Sequence, residues 1–273
     1  MGLPSFITPI MGKSLYDSDA QAFITAAGIT DAIQQRAITT LVIALKSASI
    51  WTKFVAIYPM VGGTATTHKY NLKNPLDTDA AFRLSFLGGW THSSTGALPN
   101  GTTTYADTFI FPNTSLGANS GHLSYYSRTN SAVTNEIPMG VTLPLGGTGL
   151  NLVIRRPTTN LNSFRATETT LFTGLINSTS TDSRGLTSGS ITASNSRKIY
   201  KNGSLLATNS STITWQRSST KIFLGAANES GTANYFTDKE CAFAGVASGL
   251  SDAEESSLYT AVQAMQTSLS RNV

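Results

Sequence analysis

The chain of 273 residues is short of cysteine, of charge and of long apolar runs. Its single cysteine, Cys241, rules out an internal disulfide. Charged residues make up 12% of the sequence, about half of the usual share of roughly 25%. No stretch reaches the ~20 continuous apolar residues of a membrane-spanning helix, and residues 1–14 lack the basic and apolar segments of a signal peptide. We therefore expect no disulfide-stapled scaffold, no membrane span and no secretion signal.

Motifs for catalysis and for metal binding are missing as well. The sequence contains no Gly-x-Ser-x-Gly turn, which would expose a nucleophilic serine. Its three histidines, His68, His92 and His122, do not have the spacing of metal ligands. We therefore predict no catalytic residue, no metal site and no cofactor.

The basic residues are in slight excess but are scattered along the chain. The formal net charge is +4, the isoelectric point is about 9.2, and no basic run is longer than a pair such as Arg155-Arg156. A surface that follows a nucleic-acid backbone normally clusters its lysines and arginines. The excess therefore reflects a shortage of acidic residues, and we do not expect nucleic acid as a partner.

Patterns typical of β-strands fill the middle of the sequence. Phe82, Leu84 and Phe86 alternate with polar residues, which is the period of a half-buried strand. Asn202-Gly203 lies between two apolar segments and predicts a two-residue hairpin turn. About ten such short segments, among them one at 108–111, predict an all-β sandwich or barrel. The Ser/Thr-rich stretch over residues 177–196 is predicted to be a loop.

Helical patterns flank the strands at both ends. A short helix is predicted over residues 17–27, and a longer one after a Thr30 cap. Ser251 and Glu254 form a capping box at the start of a last helix. These patterns divide the chain into an N-terminal arm and helix (1–49), a sandwich (50–250) and a C-terminal helix packed on it (251–273). The arm itself covers residues 1–16.

The second helix carries one apolar stripe at helical spacing. Two roles are open for this stripe: packing on the body of its own domain, or attachment to a neighbouring subunit. Its members are Ile33, Ala37, Ile38, Leu41, Val42 and Leu45.

The last third of the chain resembles a known family. It contains the segments Tyr-Lys-Asn-Gly (200–203), Ile-Phe-Leu-Gly-Ala (222–226) and Leu-Ser-Asp-Ala-Glu (250–254). In this order they are similar to the second half of concanavalin A-like (laminin G-like) domains. The resemblance implies a jelly-roll sandwich that ends in a helix.

Residues 50–128 resemble uncharacterised structural proteins in the virions of phages that infect Bacteroidetes-type bacteria. The resemblance lies in segments such as Trp51–Pro59 and His122–Arg128. It implies a spike, fibre head or capsid-surface protein on the outside of a virion, with copies of itself and other virion proteins as partners. The alternative is a carbohydrate-binding adhesion module of a bacterial surface protein.

Hydrolysis of a polysaccharide is a third hypothesis that the sequence disfavours. Enzymes of the concanavalin A-like fold place carboxylates on one sheet face through a Glu-x-Asp-x-x-Glu strand, and this chain has no such motif. The closest acidic group, Asp252, Glu254 and Glu255, lies at a predicted helix start, where it complements the helix dipole. We therefore predict that the protein is not an enzyme.

One turn-rich stretch has the side chains that bind sugars. The candidate glycan-binding residues are Trp90, His92, Asn100 and Tyr105, because aromatic faces pack on sugar C–H groups while amides bind hydroxyls. Binding residues are common in such loops. For Trp90 the alternative is that it fills the core at the end of its strand.

Overall fold

The structure, a computed structural model, describes residues 17–142, 149–167 and 174–273. The predicted arm over residues 1–16 lies outside them. The described residues contain five α-helices: α1 (Ser18–Ala26), α2 (Ala32–Ser47), α3 (Ala65–His68), α4 (Pro112–Ser115) and α5 (Asp252–Ser268). None of them is long and apolar enough to cross a membrane.

Short strands occupy most of the remaining described chain. In chain order they are β1 (Phe54–Tyr58), β2 (Ser85–Leu87), β3 (Thr91–Ser93), β4 (Gly96–Leu98), β5 (Tyr105–Asp107), β6 (Gly121–Ser127), β7 (Met139–Thr142), β8 (Gly149–Val153), β9 (Leu161–Thr167), β10 (Leu175–Thr179), β11 (Gly185–Ala193), β12 (Ser196–Lys201), β13 (Ser204–Asn209), β14 (Phe223–Leu224), β15 (Ala227–Glu229), β16 (Thr232–Asn234) and β17 (Cys241–Ala247).

These strands form two sheets. The first has the order β13-β12-β11-β6-β17-β4-β3, with β1 also paired to β17. The second has the order β10-β9-β8-β7-β14-β5-β2, with β15 paired to β7 and β16. Pairing is antiparallel throughout except between β15 and β7. The predicted class, an all-β concanavalin A-like jelly-roll sandwich with N-terminal helices and a C-terminal helix, is confirmed.

The main core lies between the facing sides of the two sheets. Leu123 and Tyr125 of β6 and Phe164 of β9 are fully buried there. Gly189 of β11 lies beneath the Phe164 ring, and a Cβ at this position would come within 2.1 Å of ring carbons. The glycine therefore allows the two sheets to approach at this point.

Strand β11 corrects the predicted loop over residues 177–196. It is an inner strand of the first sheet, between β12 and β6. Its outward hydroxyls are buried but satisfied: Ser188 Oγ donates to Glu255 of α5 at 2.7 Å, and Ser190 Oγ donates to the Leu250 carbonyl oxygen at 2.8 Å. A polar sequence can therefore form a buried strand here, because α5 and the residues just before it supply hydrogen-bond acceptors.

Helices α1, α2 and α5 pack on the outer face of the first sheet. Their apolar sides form one cluster with Tyr126, Leu186 and Phe243 of that sheet. The predicted stripe of α2 packs in this cluster except for Ile33, which is exposed. The stripe is thus buried within its own chain. The boundaries at residues 49/50 and 250/251 stay a prediction.

The cap of α2 is not the predicted Thr30. Asp31 occupies the N-cap position, and its Oδ1 accepts from the backbone N–H groups of Ile33 and Gln34 at 2.9 and 2.8 Å. A carboxylate at this position also complements the helix dipole. By contrast, the predicted capping box of Ser251 and Glu254 at α5 is confirmed.

We predict that Glu255→Ala destabilises the protein by roughly 2–4 kcal/mol. Glu255 is buried and accepts from Ser188 Oγ, and its other oxygen lies 2.9 Å from His122 Nδ1, so truncation leaves buried polar groups without a partner. Urea unfolding of the variant measures the loss. The control is Glu254→Ala, one residue earlier and partly exposed, which should cost about 1 kcal/mol. An equal loss of unfolding free energy in the two variants would contradict the larger stabilising role assigned to Glu255.

Candidate functional site

Trp90 lies half-buried beside the core, just before β3. Its Nε1 donates to the carbonyl oxygen of Tyr105 at 3.0 Å. Its ring covers Gly225, where a Cβ would lie 2.5 Å from the indole, and it meets the Phe86 ring edge-on at 5.4 Å between centroids. The protein itself therefore engages the polar group and much of the ring, as expected if Trp90 fills the core.

His92 forms a hydrogen-bonded pair with His68. Their Nδ1 atoms are 2.9 Å apart, and His68 Nε2 accepts from the backbone N–H of Gly63 at 3.2 Å. In neutral His68 the proton is therefore on Nδ1, which donates to Nδ1 of His92. Burial lowers the pKa of both rings, that of His68 to about 3. At neutral pH the pair is therefore uncharged.

Asn100 organises its own loop. Its Oδ1 accepts from the backbone N–H groups of Thr102 and Thr103, each at 2.9 Å, and its Nδ2 donates to the Gly88 carbonyl oxygen at 3.3 Å. The amide thus joins two turns. The sugar-binding roles of Trp90, His92 and Asn100 stay predictions, and the hydrogen-bonding groups described for them are occupied within the chain.

Tyr105 differs from these three because it lines a cavity of about 600 Å³, which we call the Tyr105 cavity. Its ring stacks on Phe223 at 4.6 Å between centroids and 29° between planes. Leu87 and Phe111 add apolar surface and are 40% and 38% exposed. Polar residues complete the lining: Ser85, Asp107, Ser219, Thr220, Lys221, Asn228 and Ser230.

Strand register places the main residues of this cavity on one face of the second sheet. Leu87 lies opposite Tyr105, Ser85 lies opposite Asp107, and Asp107 lies opposite Phe223. Residues directly opposite one another in a sheet point to the same side. The alternate residues of the same strands face the core: Phe86, Ala106 and Leu224.

An ion pair adds charged groups to the Tyr105 cavity. The Asp107 carboxylate contacts the Lys221 ammonium group, and Asp107 Oδ1 accepts from the Phe109 N–H at 2.8 Å. Lys221 Nζ also lies 4.8 Å from the centre of the Phe109 ring. The pair offers a neutral combination of acceptor and donor to ligand hydroxyls. Among the described residues, no group of three or more His, Cys, Asp or Glu side chains could hold a metal ion.

The sequence prediction missed Asp107, Lys221, Phe223 and Phe111. A strand was predicted over residues 108–111, but β5 spans Tyr105–Asp107, and Phe109 takes a left-handed φ of 57° instead of continuing it. A usable signal was present for Asp107, since it lies two residues after Tyr105 on β5. Spacing of two on a strand puts both side chains on one face.

The fold and this cavity define a class: a jelly-roll β-sandwich whose second sheet carries a small-molecule-sized cavity on its outer face. Comparison of sequences finds no matching family model and no matching curated protein. Comparison of structures finds similar sandwich domains.

Two solved structures illustrate the similarity. One is domain 4 of an extracellular arabinanase from Geobacillus stearothermophilus in complex with arabinotriose, with a TM-score of 0.53, 11% identity, and coverage of 76% of this chain and 98% of that domain. The other is botulinum neurotoxin type C, whose cell entry depends on two ganglioside molecules, with a TM-score of 0.51 and 11% identity. It covers 80% of this chain and 53% of the toxin chain. At such identities the similarity shows the fold.

We predict that stability falls in acid because of the histidine pair. His68 is neutral when folded, with a pKa of about 3, whereas the unfolded chain binds a proton below the ordinary value of 6.5. The unfolded state therefore binds more protons, and stability present above pH 6.5 is lost as the pH falls towards 3, by ~1.4 kcal/mol per pH unit for this group.

Urea unfolding of the native chain and of His68→Gln at a series of pH values checks this expectation. The variant should show a shallower loss of stability between pH 6.5 and 4, while the two slopes should agree above pH 7. An unchanged acid slope in the variant would show that His68 is not the group responsible.

Proposed function

We propose that this chain binds carbohydrate in the Tyr105 cavity and does not transform it. The observation that carries the proposal is the stacked pair of Tyr105 and Phe223 beside the ion pair of Asp107 and Lys221, all on one sheet face. Aromatic faces pack on the C–H surfaces of sugars, and the charged and amide groups bind hydroxyls. The ligands named for the arabinanase domain and the neurotoxin, arabinotriose and gangliosides, support the proposal.

Binding without reaction is proposed because the acidic groups at the cavity do not suit glycoside hydrolysis. Glycosidases commonly need two carboxylates across the scissile bond, one of them as a proton donor. Among the described residues that line the Tyr105 cavity, Asp107 is the one acid, and it is ion-paired with Lys221. Incubation with polysaccharides should therefore release no new reducing ends. Their appearance would favour the hydrolase hypothesis.

We predict that Tyr105→Ala weakens glycan binding about tenfold or more, the loss typical of a central aromatic contact. The change removes the ring that stacks on Phe223, and with it part of the aromatic surface that lines the cavity. Binding to a glycan array, followed by calorimetry on the best ligand, measures the effect.

The control is Tyr259→Ala on α5, which removes a tyrosine outside the Tyr105 cavity and should leave affinity unchanged. Thermal unfolding of both variants separates lost binding from lost fold. Full affinity in a folded Tyr105→Ala variant, or failure of the native chain to bind any glycan, would contradict the proposal.

For the biological setting, we propose that the module is displayed on the outer surface of a bacteriophage virion. The support is the resemblance of residues 50–128 to virion structural proteins. Its partners would then be copies of itself and other virion proteins, because virion sites are symmetric, and host-surface glycans would be its ligands. An adhesion module on a bacterial surface is the alternative.

Neighbouring genes and particle composition test this setting. Capsid, portal or tail genes beside the coding sequence, together with the protein in purified particles by mass spectrometry, are the expected result. Its recovery from the bacterial surface in cells that carry no phage genes would favour the adhesion module.

A further inference from the structure

The Tyr105 cavity is one end of a row of residues that crosses the second sheet. From Phe223 the row continues through Gly140 of β7 to Asn151 of β8 and Arg165 of β9, each directly opposite the next. Asn151 and Arg165 therefore lie on the same outer face as Phe223. Three strand spacings separate Phe223 from Arg165, or roughly 14 Å. A ligand of several sugar units can extend along this face.

A second cavity, of about 130 Å³, lies at the far end of the row, and we call it the Arg156 cavity. Two of its lining residues have buried hydrogen-bond donors without a partner: Nδ2 of Asn151, which is 3% exposed, and Nε of Arg156. Buried donors are normally paired, and an unpaired one is costly. The cavity therefore presents N–H groups that require an acceptor.

The Arg156 cavity is also positively charged. Arg156 and Arg165 both line it. Arg156 belongs to none of the ion pairs that the described residues form. Guanidinium groups keep their charge in proteins and match a carboxylate through two parallel hydrogen bonds.

We infer that the Arg156 cavity binds the carboxylate of an acidic oligosaccharide whose neutral part lies in the Tyr105 cavity. The inference rests on the proposed function and narrows the ligand class to sugars that carry a carboxylate. A carboxylate has acceptors and no donor, so it satisfies Asn151 Nδ2 and Arg156 Nε together. The small volume of the Arg156 cavity suits a single substituent at the end of a longer ligand.

Matched pairs of glycans test the inference. Each carboxylate-bearing oligosaccharide is presented beside its methyl ester, which has the same backbone and no charge, and beside a sulfated counterpart. We expect the carboxylate form to bind about tenfold more tightly than the ester, the ratio for one charge-assisted hydrogen-bonded pair. A sulfated form preferred over the carboxylate would overturn the assignment to carboxylates.

Two variants locate the effect. Arg156→Gln should abolish the preference and leave binding of the ester unchanged. Asn151→Asp keeps the side-chain shape and places the protein's own carboxylate in the cavity, so it should also abolish the preference for the carboxylate. This variant provides the test if Arg156→Gln fails to fold. The control Arg36→Gln, at an exposed position of α2, removes the same charge outside both cavities and should retain the preference for the carboxylate.

The outcomes separate this inference from the proposed function. Equal binding of the carboxylate and the ester, or a preference that survives both variants, overturns the inference and leaves carbohydrate binding intact. Failure of every glycan to bind contradicts carbohydrate binding. In that case titration with acetate, a carboxylate without a sugar, still tests the anion site: a shift of the Asn151 side-chain amide signal in the NMR spectrum is expected, and no shift overturns it.

Discussion

The docking of α5 on the first sheet is the contact on which the rest of the structure depends. Glu255 joins the helix to β11 and β6 through Ser188 and His122, and the Arg271 guanidinium donates to the carbonyl oxygens of Pro59 and Met60 at 2.7 Å each. All these polar side chains are buried. Because buried polar groups must be paired, the helix has one acceptable position on the sheet.

This docking leaves the two sheets with different outer surfaces. Helices pack on the outer face of the first sheet and the inner faces of both sheets lie in the core, whereas no helix of this cluster packs on the outer face of the second sheet. Both cavities lie there, and one register row through Phe223, Gly140 and Arg165 connects them. Paired strands hold these side chains, so their arrangement is set by the register of the sheet.

The sequence predictions are correct where the interactions join residues that are close along the chain, and they fail where the interactions join residues that are distant in sequence. The turn at Asn202-Gly203 is confirmed, with φ values of 49° and 72°, because residues that tolerate positive φ specify a hairpin locally. The prediction of a loop where β11 lies is wrong because the hydroxyls of this strand are satisfied by Glu255 of α5 and by Leu250 just before it, both distant in sequence. Of the predicted glycan-binding residues, only Tyr105 lines the Tyr105 cavity.

The sequence by itself determined the all-β class, the capped C-terminal helix and the hairpin, since alternation, capping and turn chemistry depend on neighbours along the chain. Tertiary structure alone decided which polar residues share a face. Tyr105 and Phe223 stack, and Asn151 lies opposite Arg165, because strand pairing brings distant segments into register. That register depends on the packing of the whole sandwich, which no local pattern encodes.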